Sequence, residues 1–291
     1  MAGLSMPSSL AAASTGLRRR PRRNVSFDLS IGVLIAFAVA AIAAPLLAPH
    51  DPYSVDLGLT NAPPGTPGHP LGTDGSGRDL LSRLLFGART SVIGPTIAIT
   101  VSVVIGVTMG AAAAWCGGWI DAVLTRITDF LFAFPGLLAA VFAVALFGPG
   151  IVAPAVGIAI AYSPVIARLT RSVVLGEQQK LYVVADRTMG FSGARTLVTT
   201  VLPNIAPIIV SQCIVSFGYA LVDLAALSFL GLGVQAPEAD WGLMLNESLP
   251  SLLLGAWWVM AFPAACLVLV VVAINTVGEG LLDRRGKKRK R

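Results

Sequence analysis

Asp223 is the one ionisable side chain well inside an apolar run of this chain; residues 196–222 before it carry no charge. A carboxylate at the centre of a membrane helix costs about 2.5–3.5 kcal/mol on insertion scales, so such a group is kept for pairing or for function. Two readings follow. In one, Asp223 lines a translocation path with Ser216 and Tyr219, and an ion-gradient-driven secondary transporter would titrate it. In the other it makes an interhelical hydrogen bond to Tyr219, Ser216 or a neighbouring subunit. A proton-coupled carrier ordinarily needs more than one such group, placed in repeated halves, and only one is clearly present.

Other reactive residue types are sparse. His50 and His69, the two histidines, lie close to prolines and read as loop residues rather than metal ligands. Cys116, Cys213 and Cys266 match no metal or disulfide spacing and read as small buried hydrophobes. None of the lysines, Lys180, Lys287, Lys288 and Lys290, sits in a Gly-x-x-x-x-Gly-Lys-Ser/Thr loop, so the chain is not expected to hydrolyse ATP. No Gly-x-Ser-x-Gly, His-Glu-x-x-His or Cys-x-x-Cys occurs either. The expectation is a non-enzyme with no cofactor or metal of its own.

Residues 170–203 carry more information. Tyr182, Ala185, Asp186 and Met189 fall at i, i+3, i+4 and i+7, so a short helix would present them on one mixed face. Gly190 supplies a left-handed turn to end it. Ser192 then caps a second short helix running through Leu202, closed by Pro203. A helix, turn and helix at a membrane surface is either a knob for a soluble partner or an amphipathic segment resting on lipid.

These residues must be positioned by membrane helices. The chain is 55% hydrophobic and 12% charged with a mean hydropathy of +0.78, far from the balance of soluble domains. Uncharged runs cover 29–49, 90–120, 130–167, 196–222 and 248–278, each long enough for the roughly 20 residues of a spanning helix. Gly148-Pro149-Gly150 splits the third run in two, which gives six spans. All basic residues except Arg78, Arg83 and Arg89 fall on one side when the N-terminus is inside, so both termini are expected in the cytoplasm. The basic ends serve topology and anionic lipid headgroups rather than nucleic acid. The first span lacks a clean small-x-small cleavage site and is expected to be retained.

The expected domains are a flexible basic tail (1–28), a first transmembrane helix (29–49), an extracytoplasmic segment (50–89), a five-helix core (90–283) and a basic tail (284–291). Within 50–89, residues 79–86 place Leu80, Leu81, Leu84 and Leu85 on one face with Asp79 and Arg83 at i, i+4, predicting a short amphipathic helix at the outer surface. Gly106 and Gly110 suit close helix packing. Asp121, Arg126 and Asp129 are expected to pair locally, and Trp241, Trp257 and Trp258 to sit at headgroup level.

Residues 184–203 resemble the coupling loop of binding-protein-dependent ABC importer permeases, Glu-Ala-Ala, three residues, Gly, then nine residues to Ile-x-Leu-Pro. The matching positions are Val184-Ala185-Asp186, Gly190 and Thr200-Val201-Leu202-Pro203; Val184, Asp186 and Thr200 depart from the pattern. The resemblance narrows to the dipeptide, oligopeptide and nickel permease family, C-type subunit, through several further strings. These are His69 to Arg83 with Gly87-Ala-Arg89, Gly118-Trp-Ile-Asp121 with Ala133-Phe-Pro135, Leu227 to Gln235, Trp241-Gly, Phe262-Pro263 and Asn275 to Gly280. Often a Glu stands where this chain has Leu224.

The resemblance implies an all-α integral membrane protein of six transmembrane helices with a cytoplasmic coupling helix, the type I ABC importer permease fold. Tyr182, Ala185, Asp186, Arg187, Met189, Gly190, Leu202 and Pro203 would then couple it to ATPases. It implies a second, different permease subunit, two ATPase subunits or domains carrying ATP and Mg, an extracytoplasmic solute-binding protein, and a bacterial plasma membrane location. The solute would be a peptide or a similar small polar molecule.

Overall fold

A computed structural model describes residues 25–288, and every regular element among them is a helix. Residues 1–24 and 289–291, most of one expected tail and part of the other, lie outside the described residues. Residues 25–28 open the first helix and 284–288 extend the last, so the expected tails are shorter than drawn.

The first span is two pieces. Helix α1, Val25–Ile42, ends ahead of a short α2, Ala44–Leu47, whose first turn holds Pro45. Proline is tolerated there because its missing N–H would be unpaired anyway. Beyond α2 the chain turns repeatedly through left-handed glycines; at Gly77, φ +77°, a Cβ would meet the Asp56 carbonyl oxygen at 1.8 Å.

The expected separate surface helix at 79–86 is instead the first turns of α3, Leu80–Cys116, 37 residues long. Nothing between Phe86 and Thr90 stops a helix, and Leu80 and Leu84 are buried beside Trp241 and Met244 rather than facing outward. Asp79 caps the helix by accepting from the Ser82 backbone N–H at 2.8 Å and takes His69 Nδ1 at 2.9 Å. Arg83 therefore pairs elsewhere, donating to Glu247 at 2.7 Å and lying 3.5 Å from Asp74. Arg78 joins the same cluster, bonding Asp74 at 2.7 Å and Glu247 at 2.8 Å.

Gly117, φ +64°, ends α3, and α4 (Gly118–Phe132) and α5 (Gly136–Phe147) follow. The two are bent by 85° relative to one another. Pro135 disfavours helical backbone at the residue before it, which is where the chain turns. At 12 residues α5 is about 18 Å long, too short to cross a bilayer unaided. The charges on α4 do not pair locally: Asp121 takes both arms of Arg171 at 2.6 Å, and Asp129 takes Arg168 at 2.8 Å.

Both arginines belong to α6, Val152–Gln178. Helices α3 and α6 touch backbone to backbone at the two small residues; a Cβ on Gly106 would lie 2.7 Å from Ser163 O, and one on Gly110 2.3 Å from Ala167 O. Pro164 interrupts α6 and leaves the Ile160 carbonyl without its N–H. The Ser163 hydroxyl donates to that carbonyl at 2.8 Å.

The remainder is α7 (Leu181–Thr188), α8 (Gly193–Thr196), a π turn (Leu197–Val201), α9 (Leu202–Phe229), α10 (Trp241–Glu247), α11 (Leu249–Leu253) and α12 (Trp258–Lys288). The last span starts ten residues later than expected because residues 248–257 form α11 and a turn at Gly255, φ +87°. Trp241 is not at headgroup level: it is 1% exposed and donates Nε1–H to Leu84 O at 3.1 Å, pinning α10 to α3.

Among the described residues four helices are long and apolar enough to cross a membrane: α3, α6, 193–229 and the Trp258–Leu281 part of α12. The bent α4–α5 pair, taken as one span, brings these to five, against the six expected, and α1 is a shorter apolar helix.

Candidate functional site

Residues 180–203 hang from the C-terminal end of α6. Glu177 accepts from both the Lys180 ammonium and the Tyr182 hydroxyl, so the end of α6 clamps the start of α7. Burial, and then the bond to Glu177, push the Tyr182 hydroxyl up to about 12, so it stays a donor at any pH a cell meets. On α6, Gln178 donates to Ala114 O at 3.0 Å, fastening the same corner to α3. Val183, on the covered face of α7, is fully buried.

The end of α7 is a Schellman motif. The Phe191 N–H bonds Asp186 O at 3.1 Å and the Gly190 N–H bonds Arg187 O at 3.1 Å, with Gly190 at φ +81°. Ser192 then caps α8, accepting from the Arg195 backbone N–H at 3.4 Å. The guanidinium of Arg187 lies over the Trp115 ring at 5.3 Å and that of Arg195 over Phe191 at 4.4 Å. The Thr200 hydroxyl donates to Asp186 at 2.8 Å and closes the knob. Pro203 cannot donate to the preceding turn, and the chain widens into the π turn before α9; the Leu202 N–H reaches Leu197 O.

The outward face of α7 is shifted by one residue from the expected one. Leu181, Val184, Ala185, Thr188 and Met189 are exposed, at i, i+3, i+4, i+7 and i+8. Leu181 is 87% exposed and Met189 63%, an apolar stripe with nothing among the described residues over it. Tyr182 and Asp186 point into the knob. The stripe was visible in the sequence; the polar atoms of Tyr182 and Asp186 drew the register one place along. Of the other expected coupling residues, Ala185, Arg187, Met189, Gly190 and Pro203 are exposed, and Leu202 is half-buried at the start of α9.

Asp223 lies on α9 about 9 Å, six residues at 1.5 Å each, from its C-terminal end at Phe229. Its partner is neither Tyr219 nor Ser216: one carboxylate oxygen accepts from the Tyr162 hydroxyl of α6 at 2.9 Å. Tyr219, one turn away, is 56% exposed, whereas Ser216 is buried and receives Gln212 at 3.3 Å. Tyr162 is 61 residues away in sequence, and no spacing argument reaches it.

At the opposite end of α3, His50 and His69 stack with ring centroids 4.5 Å apart, and the His50 backbone N–H donates to Ser82 Oγ at 3.2 Å. With Asp79 they form a clip that ties the start and middle of the external segment to the first turn of α3.

A family model described as the binding-protein-dependent transport system inner membrane component matches residues 102–290. A second, the N-terminal TM domain of oligopeptide transport permease C, matches residues 17–64. The di/tripeptide transport system permease protein DppC of Pseudomonas aeruginosa (strain UCBPP-PA14) is 40% identical over 264 residues, 89% of this chain and 86% of that protein. The dipeptide transport system permease protein DppC of Escherichia coli (strain K12) is 38% identical over 275 residues, covering 92% of this chain and 91% of the relative. Among solved structures, an inward-facing form of the MetNI methionine ABC transporter superposes with a TM-score of 0.57 at 18% identity, over 69% of this chain and 95% of that one. That likeness is one of fold, the type I importer permease.

Proposed function

Since this chain belongs to the family of binding-protein-dependent transport system inner membrane components, we propose that it is one of two different permease subunits enclosing the path of a peptide importer. Its relatives are named for dipeptides and tripeptides, which favours short peptides as the solute. The companions in this reading are a second permease, two ATPase subunits or domains that carry the ATP and Mg, and an extracytoplasmic binding protein. The chain would sit in a bacterial plasma membrane among its lipids, with both termini cytoplasmic, and would not itself catalyse hydrolysis. Family membership sets aside a carrier driven by an ion gradient through Asp223.

The observation that carries this reading is the α7 knob: an exposed apolar stripe, Leu181 to Met189, on a helix clamped to α6 and closed by Gly190. A groove on an ATPase would receive that stripe. Closure of the ATPases on ATP would displace α7 and with it the inner end of α6, turning the cavity between the two permeases from inward-facing to outward-facing; hydrolysis would return it. Ser216, Tyr219 and Asp223 belong to the proposed path, Tyr219 and Asp223 facing it and Ser216 behind them.

The test is a pull-down of the tagged complex from membranes, native against Val184→Asp and Gly190→Pro, with ATPase activity measured in each. Loss of the ATPase subunits from both variants, with the permease pair still assembled, is the expected result. A native preparation that carries no ATPase overturns the reading.

A further inference from the structure

Among the described residues, carboxylates near the apolar spans are mostly matched by a cation: Asp121 with Arg171, Asp129 with Arg168, Asp74 and Glu247 with Arg78 and Arg83. Asp223 is not. It has no ion pair among the described residues; only one of its oxygens is used, by the neutral Tyr162 hydroxyl, and its side of α9 is open enough to leave Tyr219 56% exposed. A bare carboxylate at membrane depth is costly, and a cation in contact with it removes much of that cost.

We infer that Asp223, with Tyr162 and Tyr219, forms a recognition site for the primary ammonium of the solute as it passes between the permeases. This rests on the peptide-importer reading above. The geometry suits an ammonium: a carboxylate oxygen free to accept, a tyrosine hydroxyl holding the other oxygen, and the ring of Tyr219 one helical turn away to lie against the cation. The free α-amine is the one cation that peptides share whatever their side chains, so a single carboxylate can serve many sequences. A second explanation is a basic side chain of the companion permease seated on Asp223.

The experiment uses the assembled complex purified with its companion permease and ATPases, without the binding protein, so that only the membrane path selects. Equilibrium binding of radiolabelled Ala-Ala is compared with that of N-acetyl-Ala-Ala, for native and Asp223→Asn complexes, beside dipeptide uptake into proteoliposomes with the binding protein added. The expected result is about a tenfold preference of the native complex for the free amine, the size of one charge-assisted hydrogen bond. Asp223→Asn should erase the preference, Asp223→Glu should keep part of it, and both should retain the companion permease and the ATPases. A native complex that takes up dipeptide yet binds both probes equally overturns the inference and leaves the peptide reading standing. A native complex that takes up no dipeptide overturns both, and an Asp223→Asn complex that sheds its companion permease assigns the carboxylate to the subunit interface and overturns the inference.

Discussion

The Asp186 carboxylate and the Thr200 hydroxyl are joined at 2.8 Å across the turn between α7 and the π turn. At these two positions the coupling-loop pattern has Ala and Ile. The two departures answer each other: one polar group at either place would lack a partner, whereas together they close the knob.

That pairing predicts a double-mutant cycle. Asp186→Ala and Thr200→Ile should each lower the thermal stability of the complex by about 1 kcal/mol, the net worth of a part-buried hydrogen bond, and reduce transport per ATP hydrolysed. The double variant should recover most of the loss, giving a coupling energy that approaches about 2 kcal/mol in magnitude. Additive losses in calorimetry would mean that the bond carries no weight.

A charge placed on the exposed stripe of α7 should act at the ATPase contact and nowhere else. Leu181→Asp, at a residue 87% exposed, is expected to leave the melting temperature of the detergent-solubilised chain within about 1 °C of native, since surface changes stay within about 0.5 kcal/mol. The same variant should lose the binding-protein-stimulated ATPase activity of the full complex. Tyr182→Phe should behave the other way, loosening the knob while leaving the stripe in place.

Two glycines should respond with opposite signs to the same substitution. At Gly110 a Cβ would lie 2.3 Å from Ala167 O, so Gly110→Ala must push α3 from α6 and cost about 1–3 kcal/mol. Gly176, inside α6, has nothing within 4 Å of that position, and Gly176→Ala should stabilise by about 0.5–1 kcal/mol through helix propensity. Thermal melts of the two variants decide it.

The outer cluster gives a further check. Arg83 is 1% exposed and depends on Glu247 at 2.7 Å and the more distant Asp74. Glu247→Gln removes most of its compensation and should cost about 3 kcal/mol, the lower end for breaking a buried pair. Glu247→Gln combined with Arg83→Met should recover part of that loss in the same melt.

The apolar elements were legible because length and lack of charge dictate them, and Gly148-Pro149-Gly150 marks its turn in plain residues. Gly106 and Gly110 read as packing and do pack. The partners of Asp121, Asp129, Arg83 and Asp223 were not legible: local spacing points along one helix, whereas each of these bonds is made to another helix 39 to 164 residues away. The 85° break at Pro135 was hidden by an apolar run that continues across it, since hydropathy records composition and not direction. Trp241 misled for a related reason; an indole suits a headgroup or a buried N–H bond equally well until Leu84 O is placed beside it.

Pro164 makes α6 two stiff struts sharing a joint, with the Ile160 carbonyl already satisfied by Ser163 so that flexing there leaves no polar atom stranded. Tyr162 stands about 3 Å from that joint along the axis and Glu177 about 20 Å from it on the other side, taking 1.5 Å per residue. A 10° swing of the strut that carries Glu177 would move its end through roughly 3–4 Å while leaving Tyr162, on the other strut, in place. The joint isolates the motion: in the proposed importer the Glu177 end would travel with the ATPases while the Tyr162 hydroxyl stays in register with the Asp223 carboxylate.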